Sequence, residues 1–444
     1  MSAARRAGVI LHPTSLPSGT LADVDAWLDF LQRAGVGVWQ MLPLGIPLAG
    51  LSPYQCLSAF ALNPALFAPR EVDWAGFHPW RERQAHWVED FALFRVLKLA
   101  HGGACWADWP AALRQREPAA LAAFRQHHID AIEAEVREQY ACARWWEQIH
   151  ALAARRGIAL FGDMPIFVAH DSADVWARPR DFLLDEQGWP TVVTGVPPDY
   201  FSLDGQRWGN PHYNWAAMRE NGFEWWSRRM RAHCECFDLV RIDHFRGFAA
   251  AWTIPADEPS AIHGYWSEAP GYELLAALAG ECPDLKLVAE DLGVITPDVL
   301  ALRRHFDMPG MGVLQFAFDH FADNPHKPEN VEESTVYYTG THDNDTTAGW
   351  WAALDPAQRE QVAQTLGCAL ERVPEAMRAT LFESRANLAI VPMQDVLGLG
   401  SEARMNTPGT VDGNWSWRMA PNQLGAELAL SLREQLIRTG RCPN

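Results

Sequence analysis

Leu239-Val-Arg-Ile-Asp-His244 decides how the rest of the chain is read. The run is apolar enough for a strand buried on both faces, as in a parallel sheet, yet it closes on an acid and a histidine. Seven other short apolar runs have the same form, at residues 8–13, 36–43, 158–166, 287–291, 313–318, 336–343 and 388–395. Helical patterns separate most of them, for example at 21–34, 223–236, 272–279 and 356–366. Eight candidate strands alternating with helices predict an α/β chain folded as a (β/α)8 TIM barrel.

The polar residues of these runs share one place. His12, Gln40, Asp163, Asp243, Glu290, Gln315, Asp343 and Asp395 all stand at or near the C-terminal end of their strand. In this fold those ends form the rim of the active site, while the interior is filled by branched apolar side chains. Unpaired carboxylates scattered through a core would be costly. Asp243, Glu290 and Asp343 come from three different strands, with Arg241 and His342 beside them, a set that suits glycosidic bond chemistry. A retaining mechanism needs one ionised nucleophile and one protonated acid whose environments split their pKa values. Arg241 lies two residues before Asp243, on the same strand face, and is expected to keep Asp243 ionised. Any one of these acids alone reads equally well as half of a salt bridge; the three together read as a site. Asp395 is taken as a structural acid.

Composition narrows the partners. The chain has 444 residues, 48% hydrophobic and 21% charged, with a formal net charge of −18. That charge argues against nucleic acid or an anionic membrane face, and no apolar run is long enough to span a bilayer. The apolar stretch at 8–11 is too short for a signal peptide, so a cytoplasmic address is expected. Eight cysteines without zinc spacing read as reduced thiols. There is no Walker loop, dinucleotide fingerprint or Asp-rich calcium loop, so neither cofactor nor metal is expected. Twenty-one tryptophans exceed ordinary usage; most must pack in the core, but their flat faces also suit sugar rings. Residues 1–444 are read as one catalytic barrel. Two segments, about 45–157 and about 169–237, are too long for simple crossovers and are expected to wall the barrel mouth. The first should hold a long amphipathic helix from about 118 to 156, and the tail after Gly440 should fray.

Ordered motifs then accumulate: Arg241-Ile-Asp-His-Phe-Arg246, Ala289-Glu-Asp-Leu-Gly293 and Thr341-His-Asp-Asn344. To these add His12-Pro-Thr-Ser-Leu-Pro17, Ser52-Pro-Tyr-Gln55, Gly162-Asp-Met-Pro-Ile166, Pro197-Pro-Asp-Tyr-Phe201, Gly205-Gln-Arg-Trp-Gly-Asn-Pro211 and Gly400-Ser-Glu-Ala-Arg-Met-Asn-Thr-Pro-Gly409. Across about residues 7–420 the chain resembles the amylomaltase family, the 4-alpha-glucanotransferases or disproportionating enzymes of glycoside hydrolase family 77. The resemblance implies a retaining transfer of a 1,4-alpha-glucan segment to the 4-hydroxyl of another glucan or of glucose. It implies Asp243 as nucleophile, Glu290 as acid/base and Asp343 as the residue that stabilises the distorted sugar. Tyr54, Asp163, Arg241 and His342 would line the reacting donor subsite, and Asp199, Gln206 and Trp208 the acceptor side. Asp199 alternatively shapes the turn after Pro197-Pro198, and Trp208 alternatively fills an apolar gap. Phe316 is either an acceptor platform or core.

The chain also departs from that family. Many members carry a tyrosine in a Gly-Tyr-Gly-Asp stretch before Ser-Pro-Tyr, associated with an outer glucan site; here Leu48-Ala-Gly-Leu51 places Ala49 there. The chain is somewhat short for the family, and no N-terminal binding domain is expected. Two rivals stay open on the residues: an alpha-1,4-glucan hydrolase of the same clan, and a non-catalytic glucan-binding barrel, which would not need all three acids. Trp- and Pro-rich walls that order an acceptor and exclude water favour transfer.

Overall fold

A computed structural model describes residues 5–198, 202–283, 285–410 and 412–442. Eight parallel strands form the central sheet: β1 (Arg6–Ile10), β2 (Val38–Gln40), β3 (Ala159–Pro165), β6 (Leu239–Asp243), β9 (Lys286–Ala289), β10 (Met311–Val313), β11 (Val336–Tyr338) and β12 (Leu388–Pro392). Their order is β10-β11-β12-β1-β2-β3-β6-β9. The seam from β9 back to β10 is carried by Ala289 N–H donating to the Pro309 carbonyl at 2.9 Å and Met311 N–H to Asp291 Oδ1 at 2.7 Å. The eight runs read from the sequence are these eight strands, and the chain is a (β/α)8 barrel. Ile10, Val38, Phe161, Leu239, Val288, Val336, Tyr338 and Ile390 pack together as the barrel interior. A second, larger apolar shell lies between the strands and the surrounding helices. Trp27, Trp39, Trp146 and Trp226 are buried in that shell, so core packing accounts for them.

Register places the polar strand ends. Parallel pairing of β3 with β6 sets Asp163 beside Arg241 and Pro165 beside Asp243; pairing of β6 with β9 sets Ile242 beside Ala289, so Asp243 and Glu290 follow side by side. The close approach that β3 needs on its outer face falls on Gly162: a Cβ there would meet the Phe237 ring at 2.4 Å.

A second sheet stands beside the barrel mouth. β4 (Val192–Val196), β5 (Gln206–Pro211), β7 (Ala250–Pro255) and β8 (Tyr265–Glu268) pair antiparallel in the order β5-β4-β7-β8. The segment at 169–237 therefore contributes only half of this lobe; the other half comes from residues that follow Asp243. The sequence offered few periodic runs there because the strands are short and rich in Gly, Pro and Trp.

Three expectations are corrected. The predicted single helix over about 118–156 is two, Pro118–His127 and Ile129–Arg155, broken at His128. The tail after Gly440 does not fray at Arg441, which is buried and donates to the Phe382, Arg6 and Ser384 carbonyls at 2.6, 3.0 and 2.7 Å. The cysteines are not all thiols, because Cys234 and Cys282 form a disulfide across a Cα separation of 6.4 Å. Forty-eight residues separate them in sequence, and only the fold brings the helix Glu224–Cys236 against the turn before β9. The six other cysteines are free, and burial pushes the Cys56, Cys142 and Cys236 thiols up to about 12, which leaves them inert.

Candidate active site

At the C-terminal ends of β3 and β6 sits the most buried ion pair of the barrel. Arg241 donates through Nη1 to Asp163 Oδ2 at 2.7 Å and through Nη2 to Asp243 Oδ1 at 2.8 Å. Its side chain is 5% exposed and that of Asp163 is fully buried, whereas Asp243 keeps 28% of its surface and opens toward the mouth. Asp163 Oδ2 also accepts from the Tyr54 hydroxyl at 2.8 Å. With that proton committed, His342 meets the same hydroxyl oxygen at 2.8 Å as the donor, through Nε2. The His342 ring stacks on Tyr54 at 5.3 Å, and its Nε2 lies 3.3 Å from Asp343 Oδ2. One hydrogen-bonded chain thus runs from Asp243 through Arg241, Asp163 and Tyr54 to His342, whose Nε2 stands close to the Asp343 carboxylate.

Tyr54 comes from a loop far from these strands, and buried polar contacts hold it there. Asp174 accepts from Ala59 N–H at 2.8 Å and from the Trp225 indole at 3.0 Å, and Gln55 Nε2 donates to Asn210 Oδ1 of β5 at 2.9 Å. Both anchors follow the tyrosine in the chain, and they tie the loop to the barrel helices and to the lobe.

Glu290 is seated differently. Its Oε2 accepts the backbone N–H of His244 at 2.8 Å and its Oε1 that of Leu292 at 2.9 Å. His244 adopts φ 53°, ψ 50°, a left-handed conformation uncommon for a residue other than glycine. That turn, directly after Asp243, aims the N–H at Glu290 and so joins the two carboxyls' supports.

Burial raises the pKa of both acids. At Asp243 the Arg241 guanidinium opposes this, but Asp163, Glu290 and Asp343 push upward again, to about 8. At Glu290 burial outweighs Arg241 and the two backbone donors, and its carboxyl is also raised. Carboxyls this close titrate as a unit, so the value belongs to the pair. The expectation that Arg241 simply keeps Asp243 ionised is corrected. The guanidinium binds it, yet burial and the charges of Asp163, Glu290 and Asp343 outweigh that pull, and the pair retains a proton into the neutral range. Burial lowers His342, and lowers His12 to about 3, so both rings are neutral there.

The remaining expected residues are placed as follows. The Trp208 indole donates to Gln206 Oε1 at 3.1 Å and stands edge-on to His244 at 4.7 Å, which brings Trp208 against the turn that follows Asp243 and ties Gln206 to it through the indole. Phe316, 39% exposed, ends the turn after β10 and meets His326 edge-on at 5.4 Å; no bond ties it to the acids. Asp199 lies outside the described residues. Gln40 accepts from the Tyr338 hydroxyl, Gln315 donates to the Asp345 carbonyl, and Asp395 accepts from Thr339 and Thr347, so these three strand-end residues knit the barrel.

Reading the sequence for acids overlooked two supports. Asn406 Nδ2 donates to Asp343 Oδ1 at 2.6 Å, and Arg404 Nη2 donates to the Asp343 carbonyl at 2.7 Å. Both belong to the Gly400–Gly409 motif, which offered no spacing argument for a contact sixty residues away. Among the described residues, no group of three or more His, Cys, Asp or Glu is placed to hold a metal ion.

The family model for 4-alpha-glucanotransferases of glycoside hydrolase family 77 matches residues 11–75 and 69–423. The chain belongs to that family. It is 44% identical to the 4-alpha-glucanotransferase of Thermus thermophilus, over 99% of this chain and 100% of that one. It is 39% identical to the chloroplastic/amyloplastic 4-alpha-glucanotransferase of Solanum tuberosum, over 98% and 86%. The amylomaltase of Streptococcus agalactiae in complex with acarbose superposes with a TM-score of 0.94 at 33% identity, covering 99% of this chain and 100% of that one. The Thermus alignment runs over 499 positions, more than the 444 residues of this chain, so this glucanotransferase is shorter at internal segments than that relative.

Proposed function

We propose that this chain is a retaining 4-alpha-glucanotransferase that acts on maltooligosaccharides and other 1,4-alpha-glucans. What carries the reading is the chain of hydrogen bonds from Asp243 through Arg241, Asp163 and Tyr54 to His342, which lies against Asp343, beside a second buried carboxyl, Glu290, whose pKa burial raises. Protonated Glu290 donates to the glycosidic oxygen as the bond from C1 breaks, and the Asp243 carboxylate attacks C1, forming a glycosyl ester. The released glucan leaves with that proton. Glu290, now ionised, takes the proton from an acceptor's 4-hydroxyl, whose oxygen attacks C1 and frees Asp243. Asp343, steadied by Asn406, and His342 face the sugar that distorts between these steps. Tyr54 offers it a ring, and Asp163 and Arg241 hold the floor of the subsite. Trp208 and Gln206 take the acceptor, joined by Asp199 and by Phe316 as an outer platform.

In this reading the whole chain is one catalytic unit, with the segments at about 45–157 and about 169–237 walling the cleft against water. We place the activity in the cytoplasm, where six of the eight cysteines stay as free thiols and the Cys234–Cys282 bridge is the exception, and assign it no nucleic-acid partner, supported by the net charge of −18. No helix among the described residues is long and apolar enough to cross a membrane.

The test is incubation of the purified protein with maltotriose alone, with products resolved by chain length. Glucose with maltopentaose and longer chains is expected. Glucose and maltose with nothing longer would make it a hydrolase, and binding without turnover would make it a glucan-binding barrel.

A further inference from the structure

We propose that the lobe carries a second glucan-binding groove, separated from the active site by the wall that Phe167 and Gly247 form. A depression of about 310 Å³ lies between the lobe sheet and the helix Trp215–Glu220, within the lower range of ligand clefts. Trp215 lines it from the helix and Tyr265 from β8, with Thr191, Asn214, Thr253 and Ser267 also in its lining. Register explains the grouping: Thr253 pairs with Tyr265 and Ala251 with Ser267, so these side chains share one face of the sheet.

The lining selects the ligand's chemistry. It contains no Lys or Arg, which removes phosphate and other anions, and Glu268 is its only carboxylate. Hydroxyls, an amide and the aromatic rings of Phe167, Tyr213, Trp215 and Tyr265 suit a neutral, polyhydroxylated ring, with C–H faces on the aromatics and hydroxyls on the polar atoms. Donors are free for it. Thr253 Oγ1 and Ser267 Oγ share a hydrogen bond at 2.7 Å and present their hydroxyls together, and Asn214 spends its Oδ1 on Ala217 N–H, which leaves its NH2. Tyr265 is 52% exposed, more than a ring recruited for packing would be.

Position gives the groove its use. Phe167 lines it and also lies 6.4 Å from His244 and 6.5 Å from Trp208, so one ring layer separates it from the acceptor side. A glucan long enough to pass that layer gains a second hold, which a trisaccharide in the catalytic cleft does not reach. The occupant is a neutral 1,4-alpha-glucan segment, and in that respect the groove rests on the proposed function.

The experiment compares the wild-type protein with Tyr265→Ala and Ser267→Ala, measuring transfer on maltotriose and on long amylose. For Tyr265→Ala the KM for amylose is expected to rise about fivefold, the loss of roughly one stacking contact, with kcat and maltotriose kinetics unchanged; Ser267→Ala should move the same way, by less. Unchanged amylose kinetics in both variants would overturn the groove, as would equal losses on maltotriose and amylose, which would mark it as mere support for the active-site wall. A wild-type protein inert on maltotriose would overturn the function instead. The groove is then judged by calorimetric binding of maltoheptaose: weaker binding by Tyr265→Ala supports it, and equal binding overturns it.

Discussion

The two sides of the proposed cleft are built in contrasting ways. On the donor side, Asp163, Arg241 and Asp243 stand on adjacent strands whose ladders set their register, and bonds of 2.7 and 2.8 Å lock them together. On the acceptor side, Gln206 and Trp208 ride on β5, the edge strand of a lobe assembled from both sides of β6, and Trp208 reaches the acids only through an edge-on contact with His244. The first arrangement holds atoms where charge develops; the second holds a surface against which a sugar chain can slide and be exchanged. A transferase needs both, since one side must be pre-organised for bond breaking and the other must admit a succession of acceptors.

The contrast breaks most decisively at Asp243. Asp243→Asn keeps the shape and a hydrogen-bond acceptor for Arg241 but removes the attacking carboxylate, and kcat for maltotriose transfer should fall by about 10,000-fold or more. Thermal melting should show the barrel still folded. Transfer at the wild-type rate would remove Asp243 from the nucleophile's role.

That the donor side could be read from the sequence and the acceptor side only in part has a physical cause. A parallel strand buried on both faces leaves a continuous apolar run, and a polar residue at its end has few places to go except the rim, so Asp163, Asp243, Glu290 and Asp343 announced themselves. The same rule overreached at Gln40 and Gln315, where the polar end is satisfied inside the barrel wall, whereas Asp395 is the structural acid expected there. Asn406 was quoted only within a motif, because its link to Asp343 spans 63 residues and obeys no local period. The left-handed turn at His244 is equally silent in sequence, since nothing short of the folded β6–β9 pair demands it. The Cys234–Cys282 bridge was missed for the same reason: its distance in the chain is settled by tertiary packing alone.

Asn406 sharpens the comparison by testing a support delivered from a loop to the strand-borne set. Its amide donates to Asp343 at 2.6 Å, and a hydrogen bond to a charged group contributes about 1.5–3 kcal/mol. Asn406→Ala should therefore lower kcat about tenfold or somewhat more, with little change in KM if Asp343 acts at the transition state. A rise in KM at constant kcat would mean that Asp343 binds the ground-state sugar equally well. Trp208→Ala probes the opposite side and should act the opposite way. The KM for acceptor should rise about three- to tenfold through lost aromatic contact, and the share of hydrolysis should grow as water reaches the glycosyl ester. If donor cleavage fell as steeply as in Asn406→Ala, the two sides would not be separable.

The smallest effect concerns stability, and it separates two accounts of the Asp163–Arg241–Asp243 cluster. If Arg241 held Asp243 as an ordinary ion pair, the folded-state pKa would lie below the usual carboxylate range, and stability would be lost on acidification. Burial with Asp163, Glu290 and Asp343 nearby instead raises the value of the Asp243–Glu290 pair to about 8. The sign then reverses: a group whose pKa is raised on folding contributes fully below the unfolded value, and that contribution is lost as pH climbs through about 8. Asn at this position cannot ionise, so it escapes the loss. Melting temperatures of the wild-type protein and Asp243→Asn, followed from about pH 5 to about pH 9, should diverge in the variant's favour by a few degrees and run parallel above the upper value. A gap that stays constant, or that opens on the acid side, would show that one guanidinium suffices for two carboxylates. The proton needed for glycosidic cleavage would then have to reside on Glu290 unaided by its neighbour.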